Sequence, residues 1–190
     1  MKKLVLLVAC AFVAAGAFAQ PKLGIKAGLN LADISNVEDS KMKPSFYAGA
    51  FVDFQISDFF TLSPELLYSR QGAYFKEGDL KRWERLNYLN IPVMCKFTVV
   101  KGLSVDVGPQ FGFNLNGKAK MKYDDQEYKT SISDEFNTFD FGLNMGLSYM
   151  ISEKFDVAAR YNLGLTDVVK DNEGDACRNG VIQIGVGYRF

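Results

Sequence analysis

The sequence predicts an all-β fold: an eight-stranded antiparallel up-and-down transmembrane β-barrel preceded by a cleavable signal peptide. Three observations predict it. Apolar and polar residues alternate strictly in about eight separate stretches, each roughly ten residues long, the length of a tilted membrane-crossing strand. The connections between these stretches are short and long in turn. The front of the chain carries the marks of export, and the last residue is a bare aromatic, Phe190.

At the front, Lys2 and Lys3 precede an apolar run from Leu4 to Phe18, and Ala17-Phe18-Ala19 offers the small, spaced side chains of a cleavage site. Residues 1–19 therefore read as a signal peptide and 20–190 as one barrel domain. The apolar run is too short to remain as a membrane-spanning helix. A lipobox at Leu7-Val8-Ala9-Cys10 would make Cys10 a lipidated first residue, but it comes too early in the apolar run for export. Loss of Lys2 and Lys3 leaves 22 − 2 = 20 basic against 22 acidic residues, a formal charge of −2. That balance gives no pull toward nucleic acid.

The first strand lies in KLGIKAGLNLA, with Leu23, Ile25, Ala27, Leu29 and Leu31 on one face and Gly24, Lys26, Gly28 and Asn30 on the other. The second sets Phe46, Ala48, Ala50, Val52 and Phe54 against Tyr47, Gly49, Phe51, Asp53 and Gln55. The third, in FFTLSPELLYSR, opposes Phe60, Leu62, Leu66 and Tyr68 to Thr61, Ser63, Glu65 and Ser69. In the fourth, LNYLNIPVMCKF, the apolar set is Leu89, Ile91, Val93, Cys95 and Phe97. The fifth, LSVDVGPQFGFNL, alternates Leu103, Val105, Val107, Phe111, Phe113 and Leu115 with Ser104, Asp106, Gly108, Gln110, Gly112 and Asn114. FDFGLNMGLSYM, the sixth, is the cleanest, and FDVAARYNLGL and GVIQIGVGYRF supply the seventh and eighth. Residues 57–58, 98–102 and 151–154 read as tight turns, and 33–44, 70–86, 116–137 and 166–178 as long polar loops. Short periplasmic turns and long outer loops are the pattern of an outer-membrane barrel, and an even strand count leaves both termini periplasmic.

A soluble lipocalin-like barrel also alternates, with its apolar face turned inward to hold a ligand. Volume separates the two readings: roughly forty apolar side chains cannot fit inside an eight-stranded barrel, whose interior side chains alone can fill. The opposite face carries Gly24, Gly28, Gly49, Gly108, Gly112, Gly142, Gly146, Gly164, Gly185 and Gly187. Glycine weakens a strand, and a crowded, strongly curved inner wall explains its presence. Phe54, Phe60, Phe97, Phe155, Tyr188 and Phe190 fall at the short-turn side, and Phe46, Tyr68, Phe113 and Tyr161 toward the loops. They form the two aromatic girdles expected at the membrane interfaces.

KLGIKAGLNLADIS, LSPELLYSRQGA, LNYLNIPVMCKF, VDVGPQFGF, FDFGLNMGLSY and ARYNLGLTDV, in this order and over nearly the whole mature chain, resemble successive motifs of the PorT-like outer-membrane β-barrel family. The resemblance implies an OmpA-like eight-stranded barrel of the Gram-negative envelope. It does not extend the founding member's secretion role to this chain. Phe190 also resembles the aromatic C-terminal insertion signature that such barrels present to the barrel-insertion machinery.

The inward phase includes Lys26, Lys96, Arg160 and Arg189 beside Asp53, Glu65, Asp106, Asp140 and Asp156. Charges in a narrow lumen must be paired or hydrogen-bonded, so these residues are expected to form an ion-pair network that plugs the barrel. The competing reading is a proton or ion path, which the narrow lumen argues against. The chain has no histidine, the base on which acyl-transfer and proteolytic sites generally depend, so no enzyme, cofactor or metal site is expected. Asp124-Asp125 and Asp134-Glu135 read as solvated loop acids. Asp171, Glu173 and Asp175 lack the spacing and distal Glu of a calcium loop. KRWER, with Lys81, Arg82 and Arg85 around Trp83, reads as an exposed strand extension, with a grip on lipopolysaccharide phosphates or a protein partner as the functional alternative. Cys95 should face lipid near the short turns and Cys177 should lie in the last outer loop, too far apart to bond. Pro64, Pro92 and Pro109 each remove a ladder donor and are expected at bulges or near the rim.

The reading is a small integral outer-membrane barrel with a structural or interaction role through four long extracellular loops. Its partners would be outer-membrane lipid and lipopolysaccharide, the insertion machinery and a protein at the loops. The alternatives are a component of a secretion or envelope-assembly apparatus, as PorT-like sequences suggest, and a soluble exported ligand-binding barrel.

Overall fold

Alternating faces close here into one tube. The computed structural model describes residues 21–35, 40–77, 80–123, 126–170, 172 and 174–190. The signal segment 1–19, with Cys10, and the acids Asp124, Asp125, Asp171 and Glu173 lie outside the described residues. Eleven strands lie among the described residues: β1 (Lys22–Ile34), β2 (Ser40–Lys41), β3 (Lys43–Gln55), β4 (Phe60–Gln71), β5 (Tyr74–Glu77), β6 (Leu80–Val100), β7 (Leu103–Tyr123), β8 (Gln126–Ser131), β9 (Phe139–Met150), β10 (Phe155–Gly164) and β11 (Asn179–Arg189). Eight of them, β1, β3, β4, β6, β7, β9, β10 and β11, pair antiparallel with their chain neighbours, and β1 pairs with β11 from Gly24–Arg189 to Ile34–Asn179, which closes the barrel. The amide of Phe190 donates to the Leu23 carbonyl at 3.0 Å and extends that seam by one bond.

The outward phase is apolar, as the alternation predicts. Leu29 and Ile184, opposite each other across the seam, are 68% and 58% exposed, while Asn30 and Gln183 beside them are buried. Leu143, Met145 and Leu147 likewise alternate with buried Asp140 and Asn144 on β9. A soluble barrel would show the reverse. Aromatic pairs mark both ends of this wall: Phe60–Phe97 and Phe155–Tyr188 at 5.3 and 4.9 Å near the short turns, Phe46–Tyr68 and Phe113–Phe139 at 6.1 and 5.7 Å toward the loops. Phe54 departs from the girdle, being only 8% exposed.

The tight turns at 57–58 and 151–154 lie where expected, while that expected over 98–102 narrows to Lys101-Gly102 because β6 runs on to Val100. Ser57 takes the carbonyl of Phe60, and Gly102 adopts φ +86, a left-handed conformation that a side chain would strain. The long connections differ from expectation. Within 70–86 and 116–137, read as loops, β6 begins at Leu80, β7 runs on to Tyr123 and β8 folds back beside it. The wall is thus taller on this side. A bulge in which Asn87 faces Asn116 while Tyr88 faces Asn114 leaves Leu115 unpaired. Beyond it β7 changes phase, so that Gly117 and Ala119 point inward.

The prolines are a second correction. Pro64 pairs with Val93, and the β6–β7 ladder breaks between Pro92–Gln110 and Cys95–Val107, the gap into which Pro109 falls. They sit together across three neighbouring strands in mid-wall, away from the β6–β7 register shifts and from the rim. A run of missing donors is thereby gathered into one interruption.

Candidate functional site

Glu65 projects inward from β4 and is bonded on both oxygens. Lys26 of β1 reaches Oε1 at 2.5 Å, and Arg160 of β10 reaches Oε2 at 2.9 Å and Oε1 at 3.1 Å. Nearer the short turns, Asp53 of β3 accepts from Lys96 Nζ at 3.0 Å and Arg189 Nε at 2.8 Å, and Arg189 Nη1 continues to Asp156 at 2.7 Å. The ring of Phe51 lies among these groups, with Lys26, Lys96 and Arg189 at 5.2, 5.3 and 5.3 Å from its centroid. A cation over an aromatic face is attracted by the ring quadrupole, the more so where water is excluded. Seven of the nine charged lumen residues are joined in this way, across strands far apart in sequence.

The other two are held differently. Asp106 stands opposite Lys96 in the ladder, yet Lys96 turns to Asp53, and Asp106 accepts from the Ser148 hydroxyl at 3.1 Å. Asp140 accepts from Thr166 at 2.7 Å and Asn179 at 2.9 Å. Between Asp106 and the loops lies a layer of amides, with Asp140 on its loop side: Gln183 donates to Asn30, Asn30 to Ser69, and Asn144 to Gln110, at 2.8, 3.0 and 3.1 Å. Close walls make this possible. At Gly49 a β-carbon would run into the Leu66 carbonyl, and at Gly185 into the Tyr47 hydroxyl and the Ala27 carbonyl, so the inner wall there has room for hydrogen only.

Above the amide layer the filling changes. Ile34, Ala73, Leu86, Tyr88, Ala119, Ile132, Phe136 and Val168 form a buried apolar cluster, with Phe75, Met121, Val169 and Cys177 packed against it. The loops are tied down over it: Asn137 donates to the Asp167 and Val169 carbonyls at 3.0 and 3.2 Å, and Lys170 to that of Glu135 at 2.9 Å. Arg82 bonds Glu84 at 2.5 Å, yet burial holds the Glu84 carboxyl above its usual value. Sequence reasoning missed these fillers: it placed Ile34, Ala73, Ala119, Ile132, Phe136 and Val168 in polar loops and gave Leu86 and Tyr88, at the start of the fourth stretch, no place in a core. It also missed Phe51 as the hub of the lumen, although an aromatic in the polar phase of β3 is the signal that could have found it.

Among the expected loop features, Asp134 and Glu135 lie in a short 3-10 turn, and Asp175 lies beside Cys177 without forming a metal cluster among the described residues. Cys95 is on the outer wall of β6, and Cys177 is in the β10–β11 loop; both are free thiols. Of the KRWER residues, Trp83 and Arg85 face outward, while Arg82 turns in to Glu84.

Residues 18–170 match the family described as outer membrane protein beta-barrel domain. No curated protein matches the chain. Among solved structures, the attachment invasion locus protein Ail of Yersinia pestis is similar at TM-score 0.54 and 18% identity over 90% of this chain and 99% of that one. Neisserial surface protein A is similar at TM-score 0.57 and 15% identity, over 88% and 97%. CarO of Acinetobacter baumannii is similar at TM-score 0.51 and 11% identity, over 87% and 97%. At these identities the likeness is one of fold.

Proposed function

As a member of the outer membrane protein β-barrel domain family, this chain is a small outer-membrane β-barrel protein, and we propose that it is a closed scaffold that presents its outer loops for contact, not a pore. The observation that carries the reading is the Glu65 and Asp53 carboxylates, each bridging two cations from different strands across the lumen. An eight-stranded barrel is just wide enough for side chains, and here the charged ones meet in the middle. In this reading both termini are periplasmic, residues 1–19 are removed on export, and Phe190, 67% exposed and edge-on to Tyr188 at 5.5 Å, is the residue offered to the insertion machinery. Outer-membrane lipid surrounds the wall, and a protein partner would meet the loops. The resemblance to PorT-like sequences supports one alternative, a part in secretion or envelope assembly, which a survey of secreted proteins after deletion would reveal.

The purified chain in planar lipid bilayers tests the scaffold reading. It should give no steady conductance step at neutral pH. Long-lived, ion-selective openings of the unmodified chain would refute it.

A further inference from the structure

Above the bilayer, the outer wall of β6, β7 and β8 carries cations in adjacent rows. Arg85 stands opposite Lys118, and Lys120 opposite Lys129. Like charges directly across a ladder repel, so two such rows on one sheet face call for a reason outside the sheet. Glu127 bonds Lys120 at 2.8 Å and Lys129 at 3.1 Å. These hydrogen bonds hold its carboxyl below the usual value. Arg85 and Lys118, both exposed, make no ion pair among the described residues; nor does Arg70, which stacks on Phe46 at 5.1 Å on the neighbouring strand. An open groove runs between Arg85, Lys118, Lys129, Thr130 and Ser131. At its upper end Lys120 lies 5.8 Å over the ring of Trp83, which packs on Tyr74 at 5.3 Å.

The height of this face says what it meets. On the same outward phase, Leu89 and Phe113 form an apolar row, then Asn87 bonds Asn116 beside Arg70, and then come Arg85 and Lys118. Arg85 is four residues above Leu89, ~14 Å along the strand and ~10 Å in height at a barrel tilt of about 40°. Headgroups add roughly 5–8 Å to each side of the hydrocarbon. Arg70 therefore falls within the headgroup layer, and Arg85 and Lys118 fall at its outer edge.

We propose that this face binds the phosphorylated sugar headgroup of an outer-leaflet glycolipid of the lipopolysaccharide class, with Arg85, Lys118 and Lys129 on the phosphates and Trp83 against sugar. The inference rests on the reading that the long loops face outward from the cell. A soluble sulfated sugar has similar charge, but the continuity of the basic rows with the lipid-facing wall favours a ligand anchored in the bilayer.

The full chain, folded in detergent, is titrated with lipopolysaccharide, with the same lipopolysaccharide stripped of phosphate, and with sucrose octasulfate. The variant Arg85→Gln/Lys118→Gln/Lys129→Gln should bind lipopolysaccharide at least tenfold more weakly, phosphate removal should weaken the unmodified chain comparably, and added salt should weaken it further. The substitutions are at exposed positions and relieve repulsion, so the variant should keep the resistance of the folded barrel to SDS. If it does not, Arg85→Gln and Lys118→Gln are titrated singly, each with an expected loss of about threefold. Unchanged affinity in the variants, indifference to phosphate, or tighter binding of sucrose octasulfate than of lipopolysaccharide would each overturn the proposal. A chain that fractionates with the outer membrane, conducts no current and yet ignores lipid phosphate would overturn this proposal while leaving the scaffold reading intact.

Discussion

Phe51 and Tyr88 are both inward-facing aromatics with almost no exposure, in the same tube, and their neighbours are opposite in kind. Phe51 is ringed by Lys26, Lys96 and Arg189, all engaged with carboxylates. Tyr88, higher up, has its ring in the apolar cluster of Leu86, Ile34, Ile132 and Phe136, while its hydroxyl accepts from Asn179 at 3.4 Å. The lower section is filled with ions and amides, the upper with an apolar core of the sort that stabilises a water-soluble domain. The reason lies on the outside of the wall. Where the outer face meets lipid, an inner face of equal apolarity would leave nothing to tell the two apart, and a register slip of one residue would go unopposed. Polar groups inside fix the phase. Where the outer face rises clear of the hydrocarbon, at Arg85 and Lys118, the discrimination reverses and the apolar residues turn in.

The largest effect that would sharpen this contrast is at Glu65. Glu65→Gln leaves Lys26 and Arg160 buried without their counter-charge, and breaking a buried pair costs about 3–5 kcal/mol. Urea unfolding in lipid vesicles measures it. A loss under about 1 kcal/mol would mean that lumen water, not ion pairing, carries the lower section. Next comes Leu86→Ala in the upper section, with an expected cost of about 2–4 kcal/mol from a core cavity. The loss should be local: proteases should cut the outer loops sooner while the membrane section stays protected. If the whole barrel were lost together, the two sections would be one cooperative unit. The smallest effect concerns the thiols. Burial, with Asp167 and Asp175 nearby, raises the Cys177 thiol above its ordinary value, so at neutral pH less of it is thiolate. Maleimide added to intact cells should label Cys177 slowly and faster as pH rises through the thiol range, and should leave lipid-facing Cys95 untouched; equal labelling of both would break the assignment of sides.

The lower section was legible in the sequence because each of its strands obeys a single rule, apolar out and polar in, from Leu23 to Leu31 or from Phe139 to Tyr149. All nine lumen charges could be placed on the inner phase by counting. Their partners could not, because pairing depends on the stagger of the strands: Lys96 faces Asp106 across the ladder but bonds Asp53. The upper section was illegible for a different reason. The rule inverts at the water boundary, and the bulge at Leu115 shifts the phase of β7 within the same strand. Read by the lower rule, KRWER and NGKAKMKY look like polar loops; read by the inverted one, Glu84 aside, Leu86, Tyr88 and Ala119 are the inner face of a sheet.

The seam between β1 and β11 joins opposite ends of the chain, from Ile34–Asn179 to Gly24–Arg189, with the Gln183–Asn30 bond spanning a separation of 153. Pairs so distant form late, because the intervening chain must already be ordered. Until they do, a growing sheet has two raw margins of unpaired amides, and no order of strand addition from either end removes both. Until the circle is complete, both margins stand open to pairing with sister molecules.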